Sequence, residues 1–238
     1  MKTCLHEQTY RTIAIDGPAG AGKSTAAKML AERLGFFLLD TGALYRVMAL
    51  HLVRQGISPE AGRIPLWALS LDLTIEPGIA SMKLFLDKED VTGLLRDESI
   101  GIAASKFSAR PDVRGVLLDL QRRAGKSWNL VAEGRDTGTV VFPDAAVKFF
   151  VTANLKERSH RRFQELVQRG EHPEWEKVFE EMRARDHRDK TRREAPLVKA
   201  PDAVEIDTTH LDPQEVLTVM LGYVTEHMNR VCDQTKAQ

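Results

Sequence analysis

A glycine-rich segment near the start of the chain constrains the fold more than any other feature. Residues 17–24 read GPAGAGKS and match the pattern G-x-x-x-x-G-K-[ST]. A short apolar run, Thr12 to Asp16, precedes this segment, and a helix-like stretch begins near Lys23. A strand that enters such a loop and leaves it through a helix is the arrangement that cradles phosphate groups. We therefore predict a phosphate site where the first strand ends.

The residue types in this loop suit that chemistry. Gly17, Gly20 and Gly22 leave room for backbone N–H groups to approach an anion, and the helix adds its positive N-terminal end. Lys23 can then reach the β- and γ-phosphate oxygens, while the Ser24 hydroxyl is placed to bind Mg²⁺. The predicted ATP-binding loop comprises Gly17, Pro18, Ala19, Gly20, Ala21, Gly22, Lys23, Ser24 and Thr25.

Length, charge and cysteine content exclude several classes of protein. With 238 residues, 42% of them hydrophobic, the chain can form one large α/β domain or a core that carries insertions. Its 34 basic and 34 acidic residues cancel, which gives no support for nonspecific nucleic-acid binding. Cys4 and Cys232 form no C-x-x-C pair, and the seven histidines form no metal-binding motif. Because no apolar run has the length of a signal peptide or a membrane span, we expect a cytoplasmic protein without a membrane partner.

Short apolar runs alternate with helix-like segments along the chain, which predicts a parallel sheet with helices on both faces. The carboxyl ends of such strands share one edge, where ligands bind. Glycine, Asp and Thr are also ordinary turn residues, but their shared position favours a site. The predicted strands are 12–16, 36–40, 129–133, 147–152 and 203–207, and the loops at that edge are 17–24, 40–42, 134–136 and 207–208.

The pattern changes between residues 65 and 106. Residues 71–75 and 82–86 alternate with the two-residue period of half-exposed strands, and Pro77-Gly78 separates them as a predicted turn. We predict a small antiparallel insertion in this region.

Basic residues cluster on two predicted helices in the second half of the chain. In the stretch 174–193, an apolar face that includes Val178 and Met182 continues in phase to Arg185, Asp189 and Arg192. Either this helix emerges into solvent after Met182, or its arginines face inward and clamp phosphoryl oxygens. A second group, Arg158, Arg161 and Arg162, follows Leu155 and serves either as a solvated surface or as a flap over the donor phosphates.

The remaining motifs separate the classes of phosphate-loop protein. A guanine-specific switch needs an [NT]-K-x-D motif, which the chain lacks. A motor ATPase usually presents an apolar strand that ends in an acid, and residues 130–133 fit this description. Arg135 and Asp136 follow at once, however, and favour recognition of an acceptor over activation of water. A kinase needs a second anion site, for which the chain offers Arg46, Arg114, Arg135, Arg185 and Arg192.

Four blocks together resemble the bacterial cytidylate kinases: DGPAGAGKST, LDTGALYR, EGRDTGTVVFPDA and RDHRDKTRREAPL. The resemblance runs from Thr12 to the last helix and leaves out the first eleven residues. It implies a P-loop kinase that phosphorylates CMP and dCMP with ATP and Mg²⁺. The implied α/β fold has a central parallel sheet of about five strands flanked by helices, a small acceptor-binding insertion and a short helical lid. The implied division is a core at 1–64 and 107–238, an insertion at 65–106 and a lid at about 156–186.

The resemblance also implies roles for single residues. Thr41 stands where the family more often has Ser near the cytosine, Ser105, Arg114 and Asp136 take base-recognition positions, and Arg135 and Arg192 take phosphate-contacting positions. Arg185 and Asp189 fall near the acceptor sugar and phosphate, Arg46 joins the acceptor site, and Arg161 joins the ATP site. The implied catalytic residues are Lys23, Arg135, Arg185 and Arg192. Taken without the resemblance, Ser105 is better explained as a helix N-cap and Arg114 as a surface charge.

Two other functions stay open at this point. One is a kinase that acts on a different small acceptor; the other is a regulatory protein that hydrolyses ATP slowly and contacts RNA through its basic helix. We expect a monomer whose partners are ATP and CMP or dCMP, with no nucleic acid. The sequence leaves open the preference between CMP and dCMP, residual use of UMP, and which lid arginine reaches the transferring phosphoryl group.

Overall fold

The computed structural model describes residues 11–236, with side chains up to residue 229. Cys4 and the remainder of the first ten residues therefore lie outside it, as does the side chain of Cys232. The strands are β1 Thr12–Asp16, β2 Phe37–Asp40, β3 Leu73–Gly78, β4 Ser81–Leu86, β5 Glu89–Asp90, β6 Leu130–Gly134, β7 Val147–Thr152 and β8 Val204–Asp207. The helices are α1 Lys23–Leu34, α2 Thr41–Arg54, α3 Leu66–Leu69, α4 Glu98–Phe107, α5 Pro111–Ser127, α6 Leu155–Gln168, α7 Trp175–Thr191 and α8 Pro213–Lys236.

The central sheet has five parallel strands in the order β2-β6-β1-β7-β8. Its two faces pack against different helices, since Leu44 of α2 and Leu117 of α5 belong to one apolar core, and Leu30 of α1 and Met220 of α8 to the other. Burial on both faces explains why the inner strands β6, β1 and β7 are largely apolar in the sequence, whereas the edge strand β8 carries the exposed Glu205. The predicted parallel sheet is therefore confirmed.

A separate antiparallel sheet is formed by β3, β4 and β5. The predicted antiparallel strands are confirmed, but the predicted turn at Pro77-Gly78 is wrong. Pro77 pairs with Met82 inside the ladder, and Ile79 and Ala80 form the turn. Because β3 is the edge strand of this sheet, the missing N–H of proline is tolerated there.

Three parallel strands bring polar residues to one edge of the central sheet. Asp16 ends β1 opposite Gly134 of β6, and Asp40 ends β2 opposite Glu133. Helices α6 and α7 pack over the loop that follows β1, where Ala19 contacts an apolar cluster with Val178 and Met182. The sheet edge and these two helices enclose the site.

Candidate active site

A cleft of about 710 Å³ lies at the carboxyl edge of the central sheet. The phosphate loop forms one end of it, and residues of α2, α4, α6 and α7 form its walls. Six of the predicted loop residues line the cleft: Ala19, Gly20, Gly22, Lys23, Ser24 and Thr25. Gly17, Pro18 and Ala21 belong to the same loop but do not line the cleft.

Backbone constraints explain the glycines at the start of this loop. A Cβ atom on Gly17 would collide with the carbonyl group of Val151. Gly20 has a φ of +71°, and a Cβ there would stand 2.9 Å from the carbonyl oxygen of Arg158. The loop therefore passes too close to β7 and α6 to carry side chains at these positions.

Arg158 braces the phosphate loop from behind. Its guanidinium is buried, donates to the carbonyl oxygen of Ala19 at 3.1 Å and forms an ion pair with Asp186 at 2.6 Å. Neither sequence interpretation of this arginine anticipated the arrangement, since it is neither a solvated charge nor a residue that lines the cleft. Asp186 is itself buried on α7, so Arg158 ties α6, α7 and the loop together.

Lys23, Ser24 and Glu133 meet at the mouth of the loop. The Lys23 ammonium donates to the carbonyl oxygen of Pro18 at 2.6 Å, and the Ser24 hydroxyl donates to Glu133 Oε2 at 2.8 Å. Burial, reinforced by Arg135, lowers the pKa of Lys23 to about 7. Burial, reinforced by Asp40, raises the pKa of Glu133 to about 7. Both groups are held in surroundings that penalise their charged forms, as expected of a site built to receive a charged ligand.

These shifts predict how stability depends on pH. Between about pH 7 and 10.5 the unfolded chain keeps a proton on Lys23 that the folded chain has released, so the free energy of unfolding should rise with pH. Between about pH 4.5 and 7 the folded chain keeps a proton on Glu133 that the unfolded chain loses. In this window the free energy of unfolding should therefore fall as pH rises. Urea unfolding across the alkaline window should show the rise in wild type and a flatter profile in Lys23→Met. Lys28→Met, an exposed change on the same helix, should keep the wild-type slope.

Arginines and one carboxylate form the centre of the cleft. Arg135 Nε binds Asp189 Oδ2 at 2.9 Å. Burial opposes ionisation of Asp189, but Arg135 and Arg185 outweigh it and hold the pKa of this carboxyl below its ordinary value. Arg185 is half-buried, its Nε is buried without a hydrogen-bond partner, and burial together with Arg135 lowers its pKa to about 10. Two guanidinium groups beside one carboxylate leave a net positive charge close to Lys23, which suits a phosphate group.

A second polar cluster closes the far end of the cleft. Asp136 is 5% exposed and lies between the guanidinium groups of Arg114 and Arg192, the latter at 3.2 Å. Ser105 is buried in the last turn of α4, so it is not a helix N-cap. Arg114 is 8% exposed, so it is not a surface charge. Its guanidinium lies 5.6 Å from the ring centroid of Tyr45.

The structure brings most of the predicted site residues to this one cleft. Those that line it outside the loop are Thr41, Arg46, Ser105, Arg135, Asp136, Arg161, Arg185, Asp189 and Arg192. Arg114 does not line the cleft and reaches it through Asp136. Arg192 donates to Asp136 and Ser108, so it lies beside the residues that the sequence predicts to recognise the base. Helix α7 does not emerge into solvent after Met182, because Asp186 and Asp189 are buried.

The cleft also contains residues to which the sequence assigned no specific role, among them Tyr45, Asp40 and Glu98. Tyr45 follows Thr41 by one helical turn, so its place on the same face of α2 was a usable signal. Asp40 ends β2 and belongs to a loop that was predicted at the sheet edge. Glu98 carries no local signal, because its ion pair with Arg162 joins residues that tertiary packing alone brings together.

Comparison with known proteins identifies the family. The sequence profile described as cytidylate kinase matches residues 13–226. The chain belongs to the cytidylate kinase family. The cytidylate kinase of Aeromonas salmonicida (strain A449) is 44% identical, and the alignment covers 93% of this chain and 96% of that protein. The cytidylate kinase of Geobacter sp. (strain M21) is 45% identical over 91% of this chain and 93% of that protein. The cytidylate kinase of Carboxydothermus hydrogenoformans is also 45% identical, over 89% of this chain and 96% of that protein.

The match to the cytidylate kinase family extends over both sheets and the helices that enclose the cleft. Within residues 11–236, no helix is long and apolar enough to cross a membrane. The same part of the chain holds no group of three or more His, Cys, Asp or Glu that could cage a metal ion.

Proposed function

We propose that this chain catalyses the ATP-dependent phosphorylation of CMP and dCMP to their diphosphates. The observation that carries the proposal is a single cleft with a phosphate loop at one end and a buried, doubly arginine-bound carboxylate, Asp136, at the other. A carboxylate accepts a hydrogen bond from the N4 amine of cytosine, whereas uracil presents a carbonyl oxygen there. Arginine side chains line the cleft between these two ends. They supply the positive charge that phosphoryl transfer between two phosphate groups requires.

We assign the donor end to ATP and the other end to the acceptor. Lys23 and the loop N–H groups bind the β- and γ-phosphates, with Arg161 above them; this arginine donates to Thr208 beside Gly22. The acceptor phosphate faces Arg135, Arg185 and Arg46. Arg192 binds Asp136 and Ser108, so a contact between Arg192 and the acceptor phosphate would require that it exchange one of these partners.

Magnesium fits the oxygen donors beside the loop. Ser24 Oγ and Glu133 Oε2 are hydrogen-bonded, Glu133 Oε1 is buried without a partner, and Asp40 lines the same cleft. A hydroxyl and carboxylate oxygens are the ligands that Mg²⁺ prefers, with phosphate oxygens and water completing its shell. When bound, the ion would neutralise charge on the β- and γ-phosphate oxygens. We propose Ser24 and Glu133 as the residues that hold it.

Positioning and charge neutralisation then account for catalysis. The attacking oxygen of CMP is already anionic, so no strong general base is needed. Asp189 keeps the Arg135 guanidinium aimed along the cleft through their 2.9 Å contact. Arg185, with an unpaired Nε beside Lys23 and Arg135, supplies positive charge between donor and acceptor.

We further propose that residues 65–106 act as the acceptor-binding insertion, since α4 supplies Ser105, and that residues of about 156–186 act as the lid. We also propose a cytoplasmic enzyme that does not bind nucleic acid; the balance of 34 basic and 34 acidic residues supports the second of these points.

An acceptor panel tests the proposal. ADP release from ATP should be fast with CMP and dCMP and at least about 100-fold slower with UMP, because uracil leaves the buried carboxylate unpaired. AMP and GMP should be poor acceptors because their larger purine rings place the exocyclic amine at a different distance from the sugar, and Lys23→Met provides the blank. Equal rates on all acceptors would contradict the cytosine assignment. ATP loss without any acceptor, together with a retained RNA complex, would instead favour a regulatory protein.

A further inference from the structure

The arginines of the cleft differ in whether the protein itself neutralises them. Most have an internal partner: Arg135 has Asp189, Arg192 has Asp136, Arg161 has Glu157, Arg162 has Glu98, Arg169 has Glu165, and Arg46 donates to the Leu95 carbonyl. Across the part of the chain that the structure describes, two arginine side chains line the cleft without a hydrogen bond or ion pair, those of Arg185 and Arg188. The role of Arg185 is proposed above. Arg188 belongs to none of the roles assigned so far.

Helix geometry places Arg188 between the two ends of the cleft. Arg185 and Arg188 are spaced at i and i+3 on α7, and Arg192, the C-cap residue at i+7, continues the same face. Arg185 is electrostatically coupled to Lys23 at the donor end, and Arg192 binds Asp136 at the acceptor end. Arg188 is exposed and lines the cleft about one turn from each neighbour.

We propose that Arg188 is a catalytic residue that contacts the transferring phosphoryl group. The inference rests on the function proposed above and names one further residue of that site. A guanidinium that no carboxylate occupies keeps all five of its N–H donors for oxygen ligands. During transfer, charge builds up on the equatorial oxygens between donor and acceptor, where a free guanidinium from the cleft wall stabilises it most. Arginines already bonded to carboxylates must first give up a partner before they can act in this way.

Steady-state kinetics of matched variants test the assignment. Arg188→Met should lower kcat by about 100-fold or more while the KM for CMP changes by less than about threefold, because the contact forms only in the transition state. Arg188→Lys should recover only part of the loss, since an ammonium lacks the planar fork. Arg183→Met is the control, because Arg183 lies on the same helix, is 65% exposed and pairs with Glu180 away from the cleft. Arg183→Met should keep the wild-type kcat and the wild-type KM for CMP.

A loss that falls on KM alone, or a kcat for Arg188→Met within about threefold of that for Arg183→Met, would overturn the assignment. Calorimetry with adenosine and cytidine joined by five phosphates adds a readout that needs no turnover. Arg188→Met should weaken binding of this linked ligand at least about 10-fold and leave binding of CMP alone unchanged. If Arg188→Met and Arg183→Met bind the linked ligand with equal affinity, the assignment of Arg188 is also overturned.

The same experiment separates this inference from the proposed function. If wild type phosphorylates another nucleoside monophosphate but not CMP, the function proposed above fails, and the two variants compared on that acceptor decide the role of Arg188. If wild type transfers phosphate to no acceptor, both statements fail.

Discussion

Replacing Lys23 with Met should lower kcat for phosphoryl transfer by about 1000-fold, which is the loss expected when a preorganised cationic donor is removed from a transition state. The ammonium group is 6% exposed and is held by the Pro18 carbonyl oxygen at 2.6 Å, so little reorganisation is needed when phosphates bind. Burial already lowers its pKa to about 7, and a bound triphosphate should raise it again. The lysine therefore contributes most when nucleotide is present.

ADP release with saturating CMP measures this loss. Lys28→Met, on the exposed side of the same helix, should retain wild-type activity. Because Met removes a charge from buried surroundings, Lys23→Met should also melt no lower than wild type at neutral pH, which separates lost catalysis from lost folding. A Lys23→Met enzyme that keeps a tenth or more of wild-type activity would contradict the proposed role.

Replacing Asp136 with Asn should have the second-largest effect, on both specificity and stability. The carboxylate is the proposed acceptor for cytosine N4, and an amide nitrogen in its place donates to uracil O4 instead. We expect kcat/KM for CMP to fall by about 1000-fold and the ratio of CMP to UMP use to fall at least about 10-fold. Loss of this charge also leaves Arg114 and Arg192 buried without their counterion, at a cost of about 3 kcal/mol.

Asp112→Asn is the matched control for this change. Asp112 also binds an arginine, Arg110 at 2.9 Å, but does not line the cleft. Asp112→Asn should keep the wild-type ratio of CMP to UMP use. It should lose less than about 1 kcal/mol of stability, because a partly exposed ion pair contributes little. Urea unfolding and the two-acceptor assay measure both quantities. An Asp136→Asn enzyme with an unchanged CMP to UMP ratio would remove Asp136 from base recognition.

The fold was largely predictable because burial leaves a direct trace in the order of residues. All five strands of the central sheet were recognised as short apolar runs, although only the inner strands β6, β1 and β7 are enclosed on both faces, and Glu205 of the edge strand β8 is exposed. The turn of the insertion was not, since Pro77 is a turn residue in most contexts and its place in a strand depends on β3 being the edge of its sheet. Which strand lies at an edge is a tertiary property that local sequence does not encode.

The site was predictable to the extent that motifs fix positions along the chain. The loop followed from its motif, but spacing left the face of α7 open between solvent and the site, and the partners of charged side chains were not predictable. Arg158 resembles any lid arginine in sequence, yet its ion pair with Asp186 makes it a brace for the phosphate loop. The burial of Arg114 depends on Asp136 from the far side of the sheet edge, and nothing near either residue in sequence indicates the other.

A crystal structure with ADP and CMP bound together tests the central claim most directly, namely that two anion sites face each other along one cleft. We predict the cytosine N4 amine within hydrogen-bond distance of Asp136 and the CMP phosphate between Arg135, Arg185 and the β-phosphate of ADP in the glycine-rich loop. A CMP molecule bound with its phosphate turned away from Lys23, or with its base outside the Arg114–Asp136–Arg192 cluster, would contradict the account.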